Sequence, residues 1–106
     1  MGLTTVGAAH SIPNNSRLSL QGSLTSQVGS EYYWFSDGTG EILVEIEWKV
    51  WNMAALQWGN LLPSEKVEIS GKLERERNTF KMEVKTIRKL PPPNKPDETD
   101  NSAEGE

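Results

Sequence analysis

The 106-residue chain contains no cysteine. That excludes a disulfide scaffold, a thiolate zinc site and a cysteine nucleophile together, and leaves the redox compartment open. There is one histidine, His10. A single histidine disfavours a histidine-built metal site or a Ser-His-Asp triad, and His10 is read as an exposed residue at the end of a short helix. The longest apolar runs are a few residues, far short of the ~20 that a bilayer-spanning helix needs. Hydrophobic residues make up only 35%, so part of the chain is expected to have no packed core. Neither a Gly-rich phosphate loop nor a G-x-S-x-G nucleophile motif occurs. The start of the chain shows no basic region followed by an apolar one, so no signal peptide is visible. Met1-Gly2 fits a native start or a start after a removed leader equally well.

What is present is unevenly placed. The net charge of -4 belongs to the end of the chain. Residues 91–106 hold one cation, Lys95, against Asp97, Glu98, Asp100, Glu104 and Glu106, while residues 1–90 are balanced at ten of each sign. The last segment has no Val, Ile, Leu or aromatic residue and opens with Pro91-Pro92-Pro93. It cannot bury enough surface to offset its own ordering, which predicts a disordered acidic tail over 91–106. Partner-recruiting acidic tips end in a hydrophobic anchor; this one ends Ala103-Glu104-Gly105-Glu106, as a solubilising terminus does. Residues 1–16 form an N-terminal segment, in which Thr4 or Thr5 caps about two turns of helix through Val6, Ala8 and Ala9. Pro13-Asn14-Asn15 stops it.

Between them, residues 17–90 alternate apolar and polar side chains. Leu18, Leu20 and Leu24 mark a first strand, the aromatic run Tyr32–Phe35 a second, and Ile42, Val44 and Ile46 a third. Asp37-Gly38-Thr39-Gly40 is the hairpin turn between the second and third, with Asp37 accepting backbone donors of its own turn. Val67, Ile69 and Leu73, then Phe80, Met82 and Val84, mark a fourth and a fifth strand, joined at Asn78. One segment breaks the rhythm. Trp51, Ala54, Ala55 and Trp58 fall at i, i+3, i+4 and i+7, one face of a helix over 49–58, ended by Gly59-Asn60 and followed by Pro63. At that spacing, Trp51 and Trp58 read as core.

The order β-β-β-α-β-β is that of an all-β, five-stranded OB-fold barrel with the helix plugging one open end. Closure removes the exposed edges of five half-buried strands. Gly22 and Gly71 interrupt the first and fourth strands where a barrel corner needs a sharp bend. An SH3-like barrel is the alternative, but it does not require this helix.

Residues from about Thr4 to Leu90 resemble the bacterial OB-fold (BOF) proteins of the YgiW/YdeI stress-tolerance type. The resemblance lies in Thr4-Thr5-Val6, Leu20-Gln21-Gly22, Tyr33-x-Phe35-x-Asp37 leading to Thr39-Gly40, and Ile42-x-Val44-Glu45-Ile46. It continues in Val67-Glu68-Ile69-x-Gly71 and Val84-Lys85-x-Ile87-Arg88-Lys89. It implies an OB fold, export to the periplasm through a cleaved leader, a role in envelope stress tolerance and no established enzyme activity. A cytoplasmic location is the alternative. The chain departs from the type in Trp48, Trp51 and Trp58 between the third and fourth strands. It departs again in Glu74-Arg75-Glu76-Arg77-Asn78, where the type has an Asp-rich turn.

Three function classes follow. An enzyme is disfavoured: Glu45 and Glu47 are neighbours on one strand face, which reads as a solvated face rather than an acid/base pair. No metal and no cofactor are expected. OB folds take ligands across the second and third strands, between two loops. With Phe35 facing the core, Tyr32 and Trp34 face outward beside Leu43 and Glu45, with Gln21 and Ser23 on the first strand and Arg75 and Arg77 in the last turn. Rings beside a carboxylate suit a sugar or a cation, so a cell-wall glycan, a polyamine or a cationic peptide is the expected partner of a non-enzymatic binding protein. Single-stranded nucleic acid is the second class. It needs a basic groove, but Arg75, Arg77, Lys81 and Lys85 are interleaved with Glu74, Glu76 and Glu83. A protein-interaction module is the third.

Overall fold

The computed structural model describes residues 2–59, 61 and 65–91. The expected acidic tail from Pro92 onward, Asn60 and Pro63 lie outside the described residues. In chain order the elements are β1 (Gly2–Thr4), α1 (Val6–Ala9), β2 (Arg17–Gln27), β3 (Tyr32–Ser36), β4 (Glu41–Glu45), α2 (Trp48–Trp58), β5 (Val67–Glu76) and β6 (Thr79–Lys89). The sheet order is β1-β2-β3-β4-β6-β5, and β2 also pairs with β5. That last pairing closes β2 to β6 into a five-stranded ring with the OB-fold strand order. β1 is a sixth strand, parallel to β2 at Gly2↔Leu18 and Thr4↔Leu20, where the sequence suggests a helix-capping segment alone.

Alternation decides which side chains fill the barrel. Leu18, Leu20, Phe35, Ile42, Val44, Ile69, Leu73 and Met82 are fully or almost fully buried. Each stabilises the barrel by roughly 1.5–3 kcal/mol relative to an exposed position. Ser19 is the one buried polar residue among those described, and its hydroxyl meets that of Ser70 at 2.7 Å. β2 shifts register between Leu24 and Ser26, and β5 between Ser70 and Gly71. A Cβ on Gly22 would run into the Ser36 carbonyl, and one on Gly71 into the Glu83 carbonyl. Both glycines are therefore sites of close strand approach, as the corner positions require.

The mouths of the barrel are covered differently. At one end α1 is a single turn rather than two. The Thr5 hydroxyl accepts from Ala8 N at 3.1 Å, and Val6 and Ala9 are fully buried. Asn14 and Asn15 tie the following loop to β5: Arg75 N donates to Asn14 Oδ1 at 2.7 Å, and Asn15 N to the Leu73 carbonyl at 2.8 Å. His10 is exposed as expected, but it stacks on Phe80 with ring centroids 4.0 Å apart. At the other end α2 buries Val50 and Ala54 and packs Trp51 and Trp58 against the core, while Ala55 is exposed. The inward face is thus rotated from the expected one: Val50 takes the place assigned to Ala55. Glu47 is the N-cap residue of α2 and pairs with Lys49 at 3.5 Å, so it does not share a strand face with Glu45. No helix among the described residues is long and apolar enough to cross a membrane.

Candidate ligand-binding face

The hairpin β3–β4 sorts its aromatics by parity. Phe35 is fully buried and Tyr33 packs against the core, whereas Trp34, 36% exposed, and Tyr32 lie on the outer face. The antiparallel register sets Tyr32 opposite Glu45 and Trp34 opposite Leu43. The parallel pairing of β4 with β6 then sets Leu43 beside Lys81 and Glu45 beside Glu83, and β5 adds Glu74 beside Lys81. Two rows result across the outer wall: Trp34–Leu43–Lys81–Glu74, and Tyr32–Glu45–Glu83 with Lys72.

Lys81 does not belong to a basic turn, as its neighbours in sequence suggest. Its ammonium lies 3.6 Å from Glu45, 3.7 Å from Glu74 and 5.3 Å from the centre of the Tyr32 ring. Burial would lower its pKa; Glu74, Tyr32 and Glu45 outweigh that and hold it above the ordinary lysine value. The spot between ring and carboxylate, where a cationic ligand is expected from the sequence, is thus occupied by the protein's own cation. Glu83 is likewise matched by Lys85 at 3.2 Å. Replacing Lys81 with methionine is expected to cost about 1 kcal/mol of stability at low salt and less at high salt. A double-mutant cycle with Glu45→Gln reads the coupling between the two; pairwise additivity would show that the contact contributes nothing.

The other expected site residues divide. Ser23 stands opposite Ser36, two residues along β3 from Trp34, and Ser26 stands opposite Trp34 itself. Gln21 lies on a different stretch of wall, where its amide donates to Glu68 at 2.8 Å; Arg88 reaches the same carboxylate oxygen at 2.7 Å. The Gln21 hydrogen bond, together with Arg88, prevails over burial and holds the Glu68 pKa below its ordinary value. Arg75 does not join the face either. It shares the inward parity of Leu73, and its Nε donates to the Ile12 carbonyl at 2.7 Å, so it pins the N-terminal segment. Arg77 is exposed in the β5–β6 turn. Asp37 does more than its own turn requires. It accepts from Thr39 N at 2.9 Å and Thr39 Oγ1 at 2.6 Å, and its second oxygen accepts from Val6 N at 2.9 Å. Among the described residues no three His, Asp or Glu side chains gather as a metal cradle.

A closed five-stranded barrel with an aromatic outer wall on β3–β4 defines the protein as an OB-fold protein. Residues 1–89 match the profile of the Bacterial OB fold (BOF) protein family, and the chain belongs to that family. It is 32% identical over 90 residues to Protein YgiW of Escherichia coli K12 and 40% identical over 72 residues to an uncharacterized protein of Haemophilus influenzae. Those matches take in 85% and 68% of this chain, which spans 65% and 55% of the relatives' own lengths, in each case less than two thirds. The solved structure of E. coli YgiW superposes with a TM-score of 0.74 at 31% identity, covering 84% of this chain and 95% of that one. The telomere capping protein Ten1 of Saccharomyces pombe, at 16% identity and a TM-score of 0.63 over 87% of this chain and 83% of its own, shares the fold.

Proposed function

We propose that this protein is a non-enzymatic binding module of the bacterial envelope that takes a sugar-containing ligand across β3 and β4. The observation that carries the reading is Trp34. Its ring is exposed on an otherwise hydrogen-bonding wall, with Leu43 beside it and Ser23, Ser26 and Ser36 around it. A flat ring with neutral donors and acceptors suits the apolar face and the hydroxyl edge of a pyranose. A polyamine or cationic peptide fits less well, because Glu45 already faces Lys81. A phosphate backbone also fits less well, because Lys81 and Lys85 are each held by carboxylates and phosphate affinity depends on free cations. The envelope location and the stress-tolerance role belong to this proposal and are carried over from the resemblance to the YgiW/YdeI type: a binder of cell-wall glycan meets its ligand in the envelope.

The test is tryptophan fluorescence and calorimetry of the wild type and Trp34→Ala, titrated with a soluble peptidoglycan disaccharide, spermidine and oligo-dT. The disaccharide is expected to bind, with little change between about 50 and 200 mM salt. Trp34→Ala is expected to weaken it about tenfold, the loss of one stacking surface worth ~1–1.5 kcal/mol. Disaccharide binding untouched by Trp34→Ala would remove the site. Salt-steep binding of oligo-dT alone would replace this reading with a single-strand nucleic-acid one.

A further inference from the structure

Arg17 and Lys72 stand directly opposite each other where β2 pairs with β5. Like charges so placed repel, and the sheet loses stability by them. The carboxylates around them are already engaged. Glu83, opposite Lys72 on β6, is held by Lys85 at 3.2 Å. Glu74, two residues along β5, is held by Lys81 at 3.7 Å, and Glu68 by Arg88 at 2.7 Å. Among the described residues neither Arg17 nor Lys72 is in an ion pair. The ladder also fixes what lies beside them. Ser19 and Ser70 are the next pair on the same face; their hydroxyls meet at 2.7 Å, and Ser19 is only 7% exposed. Thr86 follows, opposite Ser70 on β6. Two unmatched cations therefore border a row of hydroxyls, which adds directional hydrogen-bond donors to the charge.

We propose that Arg17, Lys72 and the Ser19–Ser70 hydroxyl pair form an oxyanion site that takes one phosphate group, free or as a monoester. Arg17 grips two oxygens with its planar fork, and Lys72 adds a point charge. Ser19 donates to Ser70, and Ser70 donates to the anion. Two cations match the nearly two negative charges of one such group, whereas a nucleic-acid backbone needs a track of them. The site is independent of the glycan reading. β4 and β6 lie between the strands of Trp34 and Lys72, which sets the two about 14 Å apart along the wall. A bound dianion also cancels the repulsion between Arg17 and Lys72, so occupancy strengthens the β2–β5 seam that closes the barrel.

The experiment uses the full chain in chloride buffer at neutral pH and constant ionic strength, titrated with inorganic phosphate, methyl phosphate and acetate. Backbone amides are followed by NMR, and melting temperatures are read in parallel. Both phosphates are expected to saturate near about 1 mM, with the largest shifts at Ser19, Ser70 and Lys72, and acetate to bind at least about tenfold more weakly. Tighter binding of methyl phosphate assigns the site to an ester, and tighter binding of inorganic phosphate to the free anion. Arg17→Gln and Lys72→Gln are each expected to weaken phosphate about tenfold. Arg77→Gln, at an exposed cation of the β5–β6 turn, is expected to weaken it less than about twofold, and Trp34→Ala to leave it unchanged. Without phosphate, Lys72→Gln is expected to melt at or above the wild-type temperature, because it relieves the repulsion. With saturating phosphate it is expected to melt below the wild type, because only the wild type gains from binding. That reversal shows that the variant folds. Shifts that grow linearly, or an equal loss from Arg77→Gln, would mean an adventitious ion only and overturn the site. A Lys72→Gln variant that melts below the wild type without phosphate would mean that the lysine serves the fold, and overturns it as well.

Discussion

Gly71→Ala is expected to lower the unfolding free energy by about 3 kcal/mol, at the upper end of overpacking costs, and the melting temperature by more than about 10 °C for a domain of this size. The added Cβ would meet the Glu83 carbonyl oxygen and carbon and lie 3.0 Å from Val84 Cα. All of these belong to the backbone of β6, which cannot move aside without breaking its ladder with β5. The gain from restricting the unfolded chain, about 0.4–1 kcal/mol for a Gly-to-Ala change, is too small to compensate. Gly22→Ala is expected to behave alike, since its Cβ meets the Ser36 carbonyl and would sit 3.0 Å from both Asp37 Cα and Phe35 Cζ. Gly29→Ala is the control: its nearest neighbour would be Tyr32 Cδ2 at 3.4 Å, an ordinary contact, so stability should stay within about 0.5 kcal/mol. Chemical denaturation of the three variants decides. A neutral Gly71→Ala would mean that the bend of β5 is not fixed by close approach.

Gly22 and Gly71 are legible in the sequence, because a glycine inside an alternating strand marks a bend or a close approach of another backbone. The two faces of β3 and β4 are legible by a similar logic. A period of two has only two phases, and buried Phe35 fixes the phase of Tyr32 and Trp34. Lys81 is not legible. Its place beside Leu43 comes from a parallel pairing between strands far apart in sequence, with α2 and β5 between them, and nothing local announces such a neighbour. Arg75 misleads because a hairpin tip invites a solvent reading. Its parity with Leu73 points it inward, where the Ile12 carbonyl takes its Nε–H. In α2, the spacing of Trp51, Ala54, Ala55 and Trp58 identifies the helix and three of its inward residues, but it includes exposed Ala55 and misses Val50. Val50 buries more apolar surface than Ala55 does, and the helix turns to include it. β1 escapes notice because three residues are too few to show a period.

Asp37→Ala is expected to cost about 2 kcal/mol near neutral pH, from the loss of charge-assisted hydrogen bonds that are only partly buried. The carboxylate joins two elements distant in sequence, since it holds the start of α1 through Val6 N while closing the β3–β4 turn through Thr39. Burial raises the Asp37 pKa, but the Thr39 hydroxyl and the Val6 and Thr39 N–H groups prevail and hold it below the ordinary 3.8. A folded-state pKa below the unfolded one contributes stability that is complete above the unfolded value. That stability is lost as pH falls through the folded value. Glu68 is shifted in the same direction, below 4.5. Wild-type stability should therefore be level from neutral pH down to about 5 and decline steeply below about 4. The deficit of Asp37→Ala should shrink over the same acid range, because the wild type gives up there what the variant never had. Asp37→Asn should resemble the alanine variant more than the wild type: its amide keeps one acceptor for Thr39 but turns a donor towards Val6 N–H. Urea midpoints measured from about pH 3 to 7 separate the cases. A deficit that stays constant across that range would mean that the charge on Asp37 does not matter and that its contribution is one of shape alone.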